Sequence, residues 1–218
     1  MLKRSSRCAL AVTALLTLAR QSQATPITIF ATGVDGSGTP LADATIGDPH
    51  YILTSVPGPL FIYTTRVRTA VGGTPIGPWL GDDPVSAWIG PNTAEDLFNY
   101  PGTYTYRTTF DLTGLDPTMS SLSGQWATDD LGTDILINGV STGNTALGFS
   151  VWSPFAINGG FLPGVNTLDF LVLNGGISST GLRVEITGES VPEPAALVLL
   201  GSGLAAVVIL RRRQRAAQ

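Results

Sequence analysis

Between Thr25 and Ser190 no apolar run recurs at the spacing of a helix face. Short apolar and threonine-rich runs alternate instead with clusters of Gly, Pro, Asn and Asp. That pattern confines the region to an antiparallel all-β fold, because a strand needs only about 4–8 residues between turns and shows a period of two wherever one of its faces meets water. Strands are predicted over residues 27–32, 50–56, 60–68, 85–89, 103–112, 120–128, 133–138, 149–157, 167–174 and 182–187. These are enough for two packed sheets, so the fold class is an all-β antiparallel β-sandwich.

Individual strands carry finer information. Tyr104, Tyr106, Thr108, Phe110 and Leu112 share one face and Thr105, Arg107, Thr109 and Asp111 the other, as a half-buried strand requires. Leu182, Val184 and Ile186 alternate in the same way with Arg183, Glu185 and Thr187, which places Arg183 on the outer face. Leu168 to Leu173 is apolar except for Asp169 and reads as a central strand covered on both sides. Asn138-Gly139 marks a tight hairpin, since both residues tolerate positive φ. The Gly- and Pro-rich loops 33–48 and 71–83 are long enough to bind ligands or simply to be solvated. Residues 188–190 read as a short linker, and no internal repeat is evident.

The two ends are of a different kind. Lys3, Arg4 and Arg7 precede an apolar run from Cys8 to Ala19, and Ser22-Gln23-Ala24 supplies small residues for a signal peptidase, with cleavage expected after Ala24. Cys8 is the one cysteine of the chain and leaves with the signal, so the mature protein has no disulfide and no thiolate metal site. At the other end Val191-Pro192-Glu193-Pro194 is followed by an uncharged apolar run over 195–210 and by Arg211, Arg212, Arg213 and Arg215. As a helix the run spans roughly 24 Å, short of a hydrocarbon core of about 30 Å. Gly201, Ser202 and Gly203 weaken it further. The basic end stays cytoplasmic, which puts everything before it outside.

The order Pro192-Glu193-Pro194, short apolar helix, arginine cluster resembles the PEP-CTERM sorting signal of Gram-negative bacteria. The resemblance implies recognition near the Pro-Glu-Pro motif by exosortase, a membrane protease, in hosts that make exopolysaccharide. A plain C-terminal membrane anchor is the alternative. Three parts follow: a signal peptide over 1–24, a β-sandwich domain over 25–190 and a sorting signal over 191–218, with a helix flanking the sandwich on each side.

Within Thr25–Ser190 four arginines (Arg66, Arg68, Arg107 and Arg183) stand against fifteen carboxylates, a net charge of −11. Such a charge repels nucleic acid and favours solubility or divalent cations.

From Trp88 onward the signals fall in a familiar order. They are Trp88-Ile89-Gly90-Pro91, the strand through Tyr106-Arg107-Thr108-Thr109-Phe110, Trp126 to Asp130, Ile137-Asn138-Gly139, Phe155-Ala156-Ile157, Gly164-Val165-Asn166-Thr167-Leu168 and Gly181 to Ile186. This resembles the galactose-binding-like jelly roll of sugar-binding domains in glycoside hydrolases. The resemblance implies a jelly-roll sandwich and, through the fold, contact with carbohydrate; it also raises the case for a structural Ca²⁺.

Few residues are equipped for catalysis. His50 is the one histidine, so a triad or a histidine metal site would have to be built around it, and it is more simply a surface or packing residue. Asp129, Asp130 and Asp134 form an acidic stretch that could offer oxygens to Ca²⁺, which wants six to eight; it lacks the EF-hand order of acids and the closing Glu, and a solvated β-turn is the simpler reading. Asp82 and Asp83 are a second, weaker pair. Of the four tryptophans, Trp88 and Trp126 lie in strands as framework, while Trp79, in a Gly/Pro-rich loop, and Trp152, beside Pro154, are the candidates for stacking on a sugar ring. The expected function is a non-catalytic cell-surface or matrix protein that contacts exopolysaccharide. A structural or adhesive protein without a defined ligand, and a divergent glycoside hydrolase, are the alternatives.

Overall fold

The computed structural model describes residues 23–41, 47–58, 65–68, 77–81, 83–91, 99–192 and 203. The expected signal helix, the hydrophobic helix over 195–210 and the sorting residues Glu193, Pro194, Arg211, Arg212 and Arg213 lie outside the described residues, apart from Gly203, which is helical. Thr25–Ser190 forms one compact unit, and Met1–Ala24 groups with Val191–Gln218 in another.

The described strands are β1 (Thr25–Pro26), β2 (Ile52–Ser55), β3 (Arg66–Arg68), β4 (Trp88–Gly90), β5 (Gly102–Asp111), β6 (Leu115–Asp129), β7 (Leu131–Ile137), β8 (Val140–Ser141), β9 (Ser153–Ile157), β10 (Val165–Asn174) and β11 (Gly181–Pro192). They form two sheets. One has the order β3-β4-β11-β6-β9 with β1 paired to β11, and the other the order β2-β5-β10-β7-β8. From β4 onward the chain passes from sheet to sheet at each step, except at the β7–β8 hairpin. That hairpin turns on Asn138 and Gly139, at φ 50° and 80°, the positive values that the Asn-Gly pair predicts.

The alternation of β5 is realised as read: Tyr104, Tyr106, Phe110 and Leu112 face a single core. Opposite them β6 supplies Leu122 and Trp126, β9 supplies Phe155 and Ile157, and β11 supplies Leu182, Val184 and Ile186. Phe170 of β10 joins the sheets. Its ring centroid lies 5.5 Å from Trp126, 6.1 Å from Phe155 and 6.2 Å from Tyr51. Each large apolar side chain buried here contributes about 1.5–3 kcal/mol, so a domain without disulfides draws its stability from this layer.

Several strands differ from the sequence reading, for identifiable reasons. The expected strand at 27–32 is an extended edge that bonds β11 only at intervals, from Ile27 N to Gly188 O and from Thr32 N to Val184 O. β6 begins at Leu115, not at 120, with Asp116 and Pro117 half-buried at its start. β11 runs on to Pro192, and residues 188–190 are no linker: Ser190 pairs with Thr25 and Glu189 with Pro26. β10 is central, yet its outer face is not apolar. Asp169 is buried there in a bidentate pair with Arg107 of β5, at 2.6 and 2.7 Å.

Trp126 needs a residue without a side chain beneath it. A Cβ at Gly132 would lie 2.3 Å from its ring and 2.7 Å from Ala146. Because the ring is held on all sides in the core, Gly132→Ala should lower unfolding stability by about 1–3 kcal/mol, read as a lower urea midpoint at unchanged slope.

Candidate ligand-binding pole

At the end of the sandwich where β6 turns into β7, four loops meet. The loop 77–81 is tied to the loop before β9 by Leu80 N donating to Phe149 O at 2.9 Å. Its carbonyl at Leu80 accepts the indole N–H of buried Trp88 at 2.9 Å. Trp79 itself is half-buried, packs on Trp88 with centroids 4.4 Å apart, and covers Gly181, where a Cβ would lie 3.1 Å from its ring. The sandwich thus presents Trp79 on a fixed platform.

Beside it lies a pair of carboxyls. Asp129 is buried and its carbonyl accepts from Thr180 Oγ1 at 2.6 Å. Burial, then the hydrogen bond to and the charge of neighbouring Asp130, push its pKa up to about 7 against the pull of Trp79. Asp130 is half-exposed and anchored, its Oδ2 accepting Gly175 N at 2.7 Å and its own N–H donating to Leu173 O at 3.0 Å.

Trp152 is placed by a different device. It is half-buried with the Arg183 guanidinium 5.0 Å over its ring. Arg183, expected on a solvated outer face, is fully buried. It donates to Ser86 Oγ at 2.9 Å, to Ser86 O at 3.0 Å and to Gly81 O, and pairs with Asp83 at 2.6 Å. Partial burial works against the Asp83 charge, yet the Val85 and Ser86 N–H groups and Arg183 hold its carboxyl below the usual range. Gly81 and residues 83–86 are thereby held over the outer face of β11. No periodicity distinguishes an arginine that a loop will cover from one left in water.

The structure therefore gathers Trp79, Asp129 and Asp130 at one end of the sandwich and sets Trp152 on the arginine that clamps the neighbouring loop. It leaves Asp134 apart: that carboxylate accepts from Ile135 N and Gly143 N, at 2.8 and 3.0 Å, within the β7–β8 region. Among the described residues no three His, Cys, Asp or Glu side chains form a group able to hold a metal ion. Asp129, Asp130 and Asp134 do not fit a calcium site as a set. Asp83 is committed to Arg183, and Asp82 lies outside the described residues. His50 stacks flat on Phe30 at 3.8 Å, and its Nε2 meets Asp35 O at 3.1 Å. Those two rings border an open groove of about 430 Å³ that also takes in Thr109 and Asp111 at the far end of β5.

Residues 190–213 match the family model of the PEP-CTERM protein-sorting motif. No curated protein matches the chain. Two solved structures are similar to it. One is a CBM35 from Paenibacillus barcinonensis, at 16% identity and a TM-score of 0.34, covering 66% of this chain and 94% of that one. The other is the CBM36-1 domain of a multidomain xylanase from the hindgut metagenome of Trinervitermes trinervoides, at 12% identity and a TM-score of 0.30, covering 64% and 94%.

The proton on Asp129 gives a pH signature. Folded, the carboxyl keeps it to about pH 7; unfolded, it releases it near pH 4. The folded state binds more protons between these values, so this contribution is complete below about pH 4 and is lost as pH rises through 7. The melting temperature should fall by roughly 5 °C from pH 5.5 to 8.5. Asp129→Asn should remove most of that fall. The lowered carboxyls Asp83, Asp111 and Asp116 act in the opposite sense and at lower pH.

Proposed function

We propose that this chain is an exported, non-catalytic cell-surface or matrix protein that an exosortase sorts, and that its sandwich contacts extracellular polysaccharide at the Trp79–Trp152 pole. The match of residues 190–213 to the sorting motif carries the sorting half of this reading. A signal peptide over 1–24, removed by signal peptidase, and a processed tail over 191–218 complete the layout. The passage of the chain from sheet to sheet supports reading the sandwich as a jelly roll.

The polysaccharide half rests on the chemistry of the pole. An indole face stacks on the C–H face of a sugar ring, and a carboxyl pair beside it accepts or donates hydrogen bonds to hydroxyls. Position supports it as well. β11 starts at Gly181, under Trp79, and reaches Ser190 roughly 30 Å away. There Ser190 pairs with Thr25, so both chain ends join the sandwich at the opposite end from the pole.

Hydrolysis is not favoured by the same groups. Glycosidase carboxyls stand about 5–9.5 Å apart to hold substrate and water between them, whereas Asp129 is buried and Asp130 is committed to the Gly175 N–H.

Binding of the mature protein to a panel of extracellular polysaccharides tests the reading. Saturable binding, weakened at least tenfold in Trp79→Ala and Trp152→Ala while each variant still unfolds cooperatively, is expected. Absence of binding to every glycan would favour a structural or adhesive role, and release of reducing ends would overturn the non-catalytic assignment.

A further inference from the structure

The sorting motif begins without a linker. β11 runs through Val191 to Pro192, so the first proline of the motif belongs to the same strand as Ser190. Ser190 is buried, and it is held three ways. Its backbone pairs with Thr25 across the sheet. Its hydroxyl meets Ser120 Oγ at 2.7 Å and donates to Asp116 O at 3.1 Å, which also accepts from Ser120 Oγ at 2.9 Å. These contacts form a clasp from β1, β6 and β11 around the last residue of the compact unit.

A protease takes its substrate as an extended strand along several residues on each side of the bond it cuts. Residues N-terminal to Pro192 can be supplied in that form only if Glu189 and Ser190 leave the sandwich. Cleavage of a folded substrate then follows the population of the locally opened state. We infer that the Ser190–Ser120–Asp116 clasp is a positioning element for sorting, and that release of the β11 end from the sandwich limits exosortase processing. This rests on the reading that an exosortase processes the tail.

The pairing of Ser190 with Thr25 adds an order to events. Thr25 follows the expected signal-peptidase site directly, so the first residue of the mature chain is part of the clasp that holds the last one before the motif. The clasp cannot close until the N-terminal end of the sandwich is in place, which ties sorting to the folded state of the exported domain.

Side-chain oxygens 2.7 Å apart bring positions 120 and 190 within reach of a disulfide. The mature chain has no other thiol. Ser120→Cys/Ser190→Cys can therefore be locked by oxidation and released by reductant in the full-length chain, expressed in an exosortase-containing host. The readouts are pulse-chase loss of the tail and the melting temperature of the released domain. The wild-type chain should be shortened. The oxidised double variant should be shortened at least tenfold more slowly, and the reduced form or either single cysteine variant at the wild-type rate or faster. Ser190→Ala, which loses the clasp hydroxyl, should be shortened up to roughly fivefold faster. Processing of the oxidised variant at the wild-type rate would overturn the inference alone. A wild-type chain that keeps its tail, or loses it equally in a host lacking exosortase, would overturn the sorting reading and the inference with it.

Discussion

The contact of Phe170 with Trp126, Phe155 and Tyr51 is what makes two sheets into one domain. With no cysteine between Thr25 and Ser190, no disulfide holds the layers together, and the burial of these rings has to offset the entropy of ordering the chain. The consequence runs outward from the core. Phe170 sits on the central strand of its sheet, so fixing it fixes β5 and β7 on either side. Trp126 in turn fixes β6 against Gly132, and with it the β6–β7 turn that carries Asp129 and Asp130.

The pole is built on that rigid base with buried charge. Arg183 spends its guanidinium on Ser86, Gly81 and Asp83, and its flat face on Trp152. Removing any partner of a buried cation leaves it uncompensated, which is costlier than never having buried it. The loop over β11 is therefore held closed. Trp79 and Trp152 are in this way presented by fixed supports, the condition under which an aromatic side chain binds without a large ordering cost.

Much of this was legible in the sequence. The period-two face of β5, the Asn138-Gly139 hairpin and the framework roles of Trp88 and Trp126 follow from local chemistry alone and appear in the structure as read. The tail was legible because its three parts are contiguous. What escaped were features made by distant segments. A short stretch such as Gly188 to Ser190 reads as a linker until Thr25 is seen to pair with it. Asp169 interrupts an apolar run, and only the cross-strand register shows that Arg107 answers it. Asp134 shares a stretch of sequence with Asp129 and Asp130, but the alternation along β7 and the pull of Gly143 send its carboxylate elsewhere.

The central claim is that a folded sandwich is delivered outside the cell and separated from both of its hydrophobic ends. The intact mass of the chain recovered from the outer surface or the medium tests this most directly. The account predicts one species that begins at Thr25 and lacks Arg211, Arg212 and Arg213. Recovery of the chain only inside the cell, or outside it with the arginine cluster still attached, would contradict it.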